Sequence, residues 1–115
     1  MKREGTKDDA DKPTRPELVP WDVVDYIGRV LKFGAAKYGD WNWTKGFAWS
    51  RLIGAAERHL GAFKNGEDAD AESGLPHLAH ALCCLAFLLE HQLRSFGHDD
   101  RYRWERFARW PPEGE

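Results

Sequence analysis

Cysteine is scarce: the chain has two in 115 residues, Cys83 and Cys84, and they are adjacent. Neighbouring thiols cannot staple distant segments, so a disulfide framework is excluded, and reduced thiols fit a cytoplasmic protein. No apolar run approaches the roughly 18 residues needed to span a bilayer. The opening stretch, MKREGTKDDADKPTRP, lacks the apolar centre of a signal peptide. Neither sign of charge dominates, with 17 Lys+Arg against 19 Asp+Glu and a net charge of −2. That balance argues against duplex nucleic acid as the main partner and against a membrane surface.

Aromatic residues are plentiful. Six Trp, six Phe and three Tyr make up 13% of the chain, and each ring buries on the order of 150–250 Å². A real core is therefore available despite a mean hydropathy of −0.68. Residues 1–16 carry charge and two prolines but no large apolar side chain after Met1, and they are expected to be flexible. Residues 17–115 read as a single domain. A domain this small hides only about 60–70% of its surface, so a homo-oligomer that covers further apolar helix faces is expected.

The periodicity is helical throughout. Apolar positions 23, 24, 27, 30 and 31 predict a helix over 23–34, with Pro20 before it and Gly34 and Gly39 at its end. Residues 38–47 mix glycine with rings and read as a structured loop. A second helix is predicted over 50–63, ended by Asn65-Gly66. A third, apolar nearly all round and therefore central, runs from about Leu75 to Ser95 or Phe96, stopped by Gly97. A short fourth, from Asp100 to Trp110, ends at Pro111-Pro112. With no convincing strand, the expected class is all-α: a small bundle of three main helices plus a short C-terminal one.

His77 and His80, at i and i+3, share one face of the third helix, and Cys84 continues it a turn later. One reading is core histidines satisfied by neighbours. The other is a divalent-metal site, favoured by the connector Glu67-Asp-Ala-Asp-Ala-Glu-Ser-Gly74 immediately upstream. If helices 2 and 3 form an antiparallel hairpin, His59 approaches His80 and the acidic turn lies beside His77. Lys37, Tyr38, Asn42, Trp43 and Lys45 combine positive charge, an amide and flat rings, the groups that hold a nucleotide's phosphates and base. A packed loop whose rings fill core gaps is the alternative.

The ordered run Lys12-Pro13, Leu18-Val-Pro20, Phe33-Gly-Ala-Ala-Lys-Tyr-Gly39, Asn42-Trp43, Lys45-Gly46, Arg58-His-Leu60, Gly66-Glu67, Asp70, Glu72-Ser-Gly74 and His77-Leu-Ala-His80 resembles the phage-associated dATP/dGTP diphosphohydrolase N-terminal family. That family is similar in outline to the MazG-type all-α nucleoside triphosphate pyrophosphatases. The resemblance implies hydrolysis of a purine deoxynucleoside triphosphate to monophosphate and pyrophosphate with Mg²⁺ or Mn²⁺. MazG-type enzymes carry paired Glu-x-x-Glu and Glu-x-x-Asp motifs on facing helices. Here His77-x-x-His80 stands instead, and imidazoles suit Mn²⁺ or a later transition metal better than Mg²⁺.

On this reading His59, Glu67, Asp70, His77 and His80 hold metal, and Glu67, Asp70 or Glu72 is the general base. Lys37 and Arg58 meet phosphate, Tyr38, Asn42 and Trp43 hold the base, and Lys12 folds over the ligand. Three alternatives stay open. They are a non-catalytic nucleotide-sequestering protein, an HD-like metal phosphohydrolase and a structural interaction module. His98-Asp99 follows the Gly97 helix stop and is a poor candidate for the HD-like reaction.

Overall fold

A computed structural model of the chain describes residues 11–102. Helix α1 spans Trp21–Tyr38, α2 spans Trp49–Lys64 and α3 spans His77–Arg94. Short 3-10 turns lie at Pro16–Leu18 and Asn42–Lys45, and the described residues form no strand beyond two isolated bridges. The fold is all-α. The expected flexible segment falls largely on residues 1–10, and most of the expected fourth helix falls beyond 102, outside the described residues.

α1 begins where Pro20, which has no N–H to orphan, accepts hydrogen bonds from the amides of Val23 and Val24. It runs through Gly34 and stops at Gly39, whose φ of +90° leaves the helical region. One interior glycine costs a helix only about 1 kcal/mol, and Ala35, Ala36 and Lys37 restore propensity beyond it.

α2 and α3 form the expected antiparallel hairpin: the Trp49 indole donates to Phe96 O at 3.0 Å, while His59 at the other end reaches His77. The start of α2 is capped from far along the chain. Asp100 accepts from the Ser50 amide at 2.8 Å and the Ser50 hydroxyl at 2.5 Å. That task, with the backbone pairing of His98 to Phe47 and Trp49, holds residues 98–102 out of helix. The predicted start of a helix at Asp100 is corrected accordingly.

α3 is central, packing on both α1 and α2. Its inner positions are small or polar: His77, Ala79, Ala81, Cys83 and His91 are the buried ones. Ala79 and Cys83 let α1 approach closely, with Val30, Ile27 and Leu75 packed around them. Burial pushes the Cys83 thiol up to about 12. Leu78, Leu82, Leu85 and Leu89 are exposed, because α1 and α2 cover two faces of α3 and leave the third open.

The 39–48 loop closes the far end of the hairpin. Trp43 stacks on Phe87 at 5.5 Å and leans on Phe96. Fully buried His91 donates from Nδ1 to Phe87 O (2.7 Å) and accepts the Phe47 amide at Nε2 (3.1 Å). Gly97, at φ +72°, passes so close that a Cβ there would sit 2.5 Å from Phe47 O and from the His91 ring.

Candidate functional site

The connector between α2 and α3 is folded rather than merely solvated. Asp68 O accepts the His77 amide, Leu75 O accepts the Asp70 amide, and Asp70 O accepts the Gly74 amide. This turns the Asp70 carboxylate inward, where it accepts the Ser73 amide at 2.9 Å. That backbone hydrogen bond is the main reason its pKa lies below the ordinary carboxylate value.

Three imidazoles converge on it. His59 from α2 and His77 from α3 meet Nδ1 to Nδ1 at 2.9 Å. The His80 ring stacks on His59 at 4.6 Å, and its Nε2 lies 4.0 Å from Asp70. Burial, then the neighbouring imidazoles, lowers the His59 pKa; burial also lowers that of His80, with Asp70 opposing. Neutral rings have lone pairs to offer.

His59, Asp70 and His77 each supply one ligand atom, all within 4.8 Å of one another. Imidazole nitrogens bound to one cation at about 2.0–2.1 Å lie roughly 3 Å apart, close to the observed His59–His77 separation. The buried His77 Nε2 has no hydrogen-bond partner. Glu67 lies 3.3 Å from it, near enough for charge but not aligned to bond. A buried ring nitrogen without a hydrogen-bond partner beside a carboxylate, in a set of nitrogen and oxygen donors, fits a divalent transition-metal ion.

Other predicted residues surround this cluster unevenly. Lys37, at the end of α1, pairs with Glu72 at 2.6 Å, which raises the lysine pKa and ties α1 to the connector. Phe33 presents its edge relationship to His80 at 6.3 Å. Arg58 reaches back over Gly54 and contributes positive charge near His59 and Cys84. Cys84 itself is half-buried, its thiol pushed up by burial, and is not one of the clustered ligand atoms.

Trp43 is packed against Phe87, two helical turns along α3 from His80. Tyr38 is exposed and Asn42 opens the 3-10 turn. Lys12 lies on the exposed segment ahead of Pro16. His98 and Asp99 sit at the opposite end of the hairpin, beside the start of α2.

Two features escaped the sequence reading. The Ser73 hydroxyl lies 2.7 Å from His80 Nε2 while its amide binds Asp70, joining the two. The Asp-x-x-Ser spacing of a side-chain-capped turn was the available signal. Trp41 is the other. It is 71% exposed, at φ +62°, in a left-handed conformation unusual for a bulky residue.

The helical hairpin thus carries an imidazole–carboxylate cluster, with Lys37 paired to Glu72 of its connector and Arg58 next to His59 on α2. The family described as dATP/dGTP diphosphohydrolase, N-terminal, matches residues 2–101, and the chain belongs to it. It is 40% identical over 81 residues to the dATP/dGTP diphosphohydrolase of Salmonella phage PMBT28. That alignment covers 70% of this chain and 27% of the relative, so the chain spans about a quarter of that protein. No solved structure matches. No helix among the described residues is long and apolar enough to cross a membrane.

Proposed function

We propose that the chain hydrolyses a purine deoxynucleoside triphosphate, dATP or dGTP, between the α and β phosphates, giving monophosphate and pyrophosphate. The observation that carries this reading is the grouping of ligand atoms of His59, Asp70 and His77 within 4.8 Å of one another, with His80 and Glu67 beside them, in a chain of the diphosphohydrolase family. His59, Asp70 and His77 would hold a divalent ion, with His80 and Glu67 at its edge. Mn²⁺ suits this donor set better than Mg²⁺. Such an ion, when bound, offsets phosphate charge and acidifies a bound water.

The chain's own residues do the rest. Glu67, more than half exposed beside His77, would accept a proton from a water at that point. Asp70 is committed to the Ser73 amide, and Glu72 to Lys37. A triphosphate arriving at the cluster competes with Glu72 for the Lys37 ammonium and meets Arg58 from α2. The base then lies toward the 39–48 loop, where Tyr38 and Trp41 are exposed and Asn42 offers an amide. The setting is the cytoplasm, where Cys83 and Cys84 stay reduced.

The test is incubation of the protein with each dNTP and Mn²⁺ or Mg²⁺, with products resolved by anion exchange. Monophosphate and pyrophosphate from dATP or dGTP are expected. Released triphosphate would indicate an HD-like reaction, and tight binding without turnover would indicate sequestration.

A further inference from the structure

Ser73 takes no part in the hydrolysis outlined above, yet its polar atoms meet two of the clustered side chains. Its amide donates to Asp70 Oδ2 at 2.9 Å. Its hydroxyl oxygen accepts the Leu75 amide at 3.1 Å and lies 2.7 Å from His80 Nε2. That ring nitrogen is 4.0 Å from Asp70 Oδ2, too far for a direct hydrogen bond. Ser73 therefore joins a carboxylate and an imidazole that do not bond each other. Asp70, Ser73 and His80 are all partly buried, so water competes weakly for these groups.

A neutral imidazole carries its proton on one ring nitrogen and a lone pair on the other. Burial lowers the His80 pKa, with Asp70 opposing, and favours that neutral ring. What surrounds Nε2 then decides where the proton sits. A lone pair on Nε2 would lie 4.0 Å from an oxygen of the Asp70 carboxylate; a proton there is attracted to it instead. Asp70 keeps its charge, because the Ser73 amide, with the hydroxyl adding to it, holds its pKa low against burial. The hydroxyl has two lone pairs, so it accepts the His80 N–H alongside the Leu75 amide and keeps its own proton for Asp70.

We propose, building on the metal-centre reading above, that Ser73 is a positioning residue whose hydroxyl holds His80 as the Nε2–H tautomer and leaves the lone pair on Nδ1. Among the described residues no group hydrogen-bonds Nδ1. It is the free acceptor that a cation or a water proton would meet. Anchoring one ring nitrogen by an outer hydrogen bond is how a histidine's orientation and tautomer are fixed for the other to act. The opposite tautomer would spend its lone pair on Ser73 and present an N–H at Nδ1, which binds no cation.

The experiment is long-range proton–nitrogen correlation of the ¹⁵N-labelled full chain without added metal. It is run at about pH 7.5, above the ordinary histidine pKa, with His80 assigned by its absence from His80→Gln. Each ring nitrogen reports separately whether it carries a proton. Protonated Nε2 and unprotonated Nδ1 are expected; the reverse pattern, or an even mixture, overturns the proposal. Asp70→Asn leaves Ser73 in place and removes the charge, and is expected to move His80 toward Nδ1–H. An unmoved pattern overturns the assignment of the tautomer to the Ser73–Asp70 pair. Ser73→Ala is expected to give a mixed pattern and to weaken Mn²⁺ binding by calorimetry about tenfold or more, and Ser73→Thr, which keeps the hydroxyl, to restore both. A Ser73→Ala chain with wild-type pattern and affinity overturns the proposal. The wild-type and Asp70→Asn spectra decide even where Ser73→Ala loses its helical circular dichroism. A wild type that shows the expected tautomer but binds no Mn²⁺ and cleaves no dNTP overturns the metal-centre reading instead.

Discussion

The rings of His59 and His80 lie parallel, 4.6 Å between centroids and 10° between planes, although one belongs to α2 and the other to α3. Two stacked imidazoles tolerate one charge poorly and two hardly at all. Burial holds the pKa values of both rings below the ordinary one, which keeps their nitrogens available to a cation.

Acid should therefore loosen this end of the hairpin. Both His59 and His80 have folded pKa values below the ordinary one, first because of burial. The unfolded chain, with histidines near 6.5, takes up protons before the folded one. The stabilisation is whole above about pH 6.5 and is lost as pH falls through that value toward the lower folded ones. Thermal melts between about pH 7.5 and 5.5 are expected to show a falling Tm. The fall should be shallower in His59→Gln; equal slopes would remove the cluster as its cause.

Removing charge from Asp70 without removing its shape separates ligand from scaffold. Asp70→Asn keeps an acceptor for the Ser73 amide. It is expected to leave the fold intact and weaken Mn²⁺ binding at least about tenfold by calorimetry, or about 1.4 kcal/mol. In the wild type, Mn²⁺ at a hundredfold excess over its Kd should stabilise folding by about 2.7 kcal/mol. Undiminished affinity in the variant would rule Asp70 out as a ligand.

Gly97→Ala meets two obstacles together: a positive φ, and a Cβ 2.5 Å from the backbone oxygen of Phe47. Neither obstacle is a flexible side chain that can swing away. Denaturant titration is expected to show a loss of about 2–4 kcal/mol.

The two loop tryptophans should separate stability from binding. Trp43→Ala removes a ring stacked on Phe87 and is expected to cost about 3 kcal/mol. Trp41→Gly relieves a left-handed backbone and is expected to stabilise by about 1 kcal/mol while raising the KM for dATP. Denaturant titration and steady-state kinetics on the same preparations read both effects.

The three helices and the hairpin were legible because each apolar stripe is local and periodic. The imidazole–carboxylate cluster was legible because His77 and His80 share a face and the acidic turn adjoins them. What was not legible depends on distant partners. Periodicity marks Leu82 and Leu85 as apolar but does not say whether another element of the chain covers them. Asp100 caps a helix that starts 50 residues earlier, a pairing that no local pattern announces. Trp41 and Trp43 are alike in composition; only a single left-handed residue turns one outward and the other onto Phe87.

His91 gives the far end of the hairpin a reporter. The Phe47 amide donates to a ring nitrogen with no solvent exposure, across 44 residues of chain. Loop amides ordinarily exchange with deuterium through small local openings. This one is released when the loop and the Gly97 turn lift from α3, so its exchange rate is expected to report the free energy of that opening. An apparently peripheral loop position is thus expected among the slowly exchanging amides of the domain.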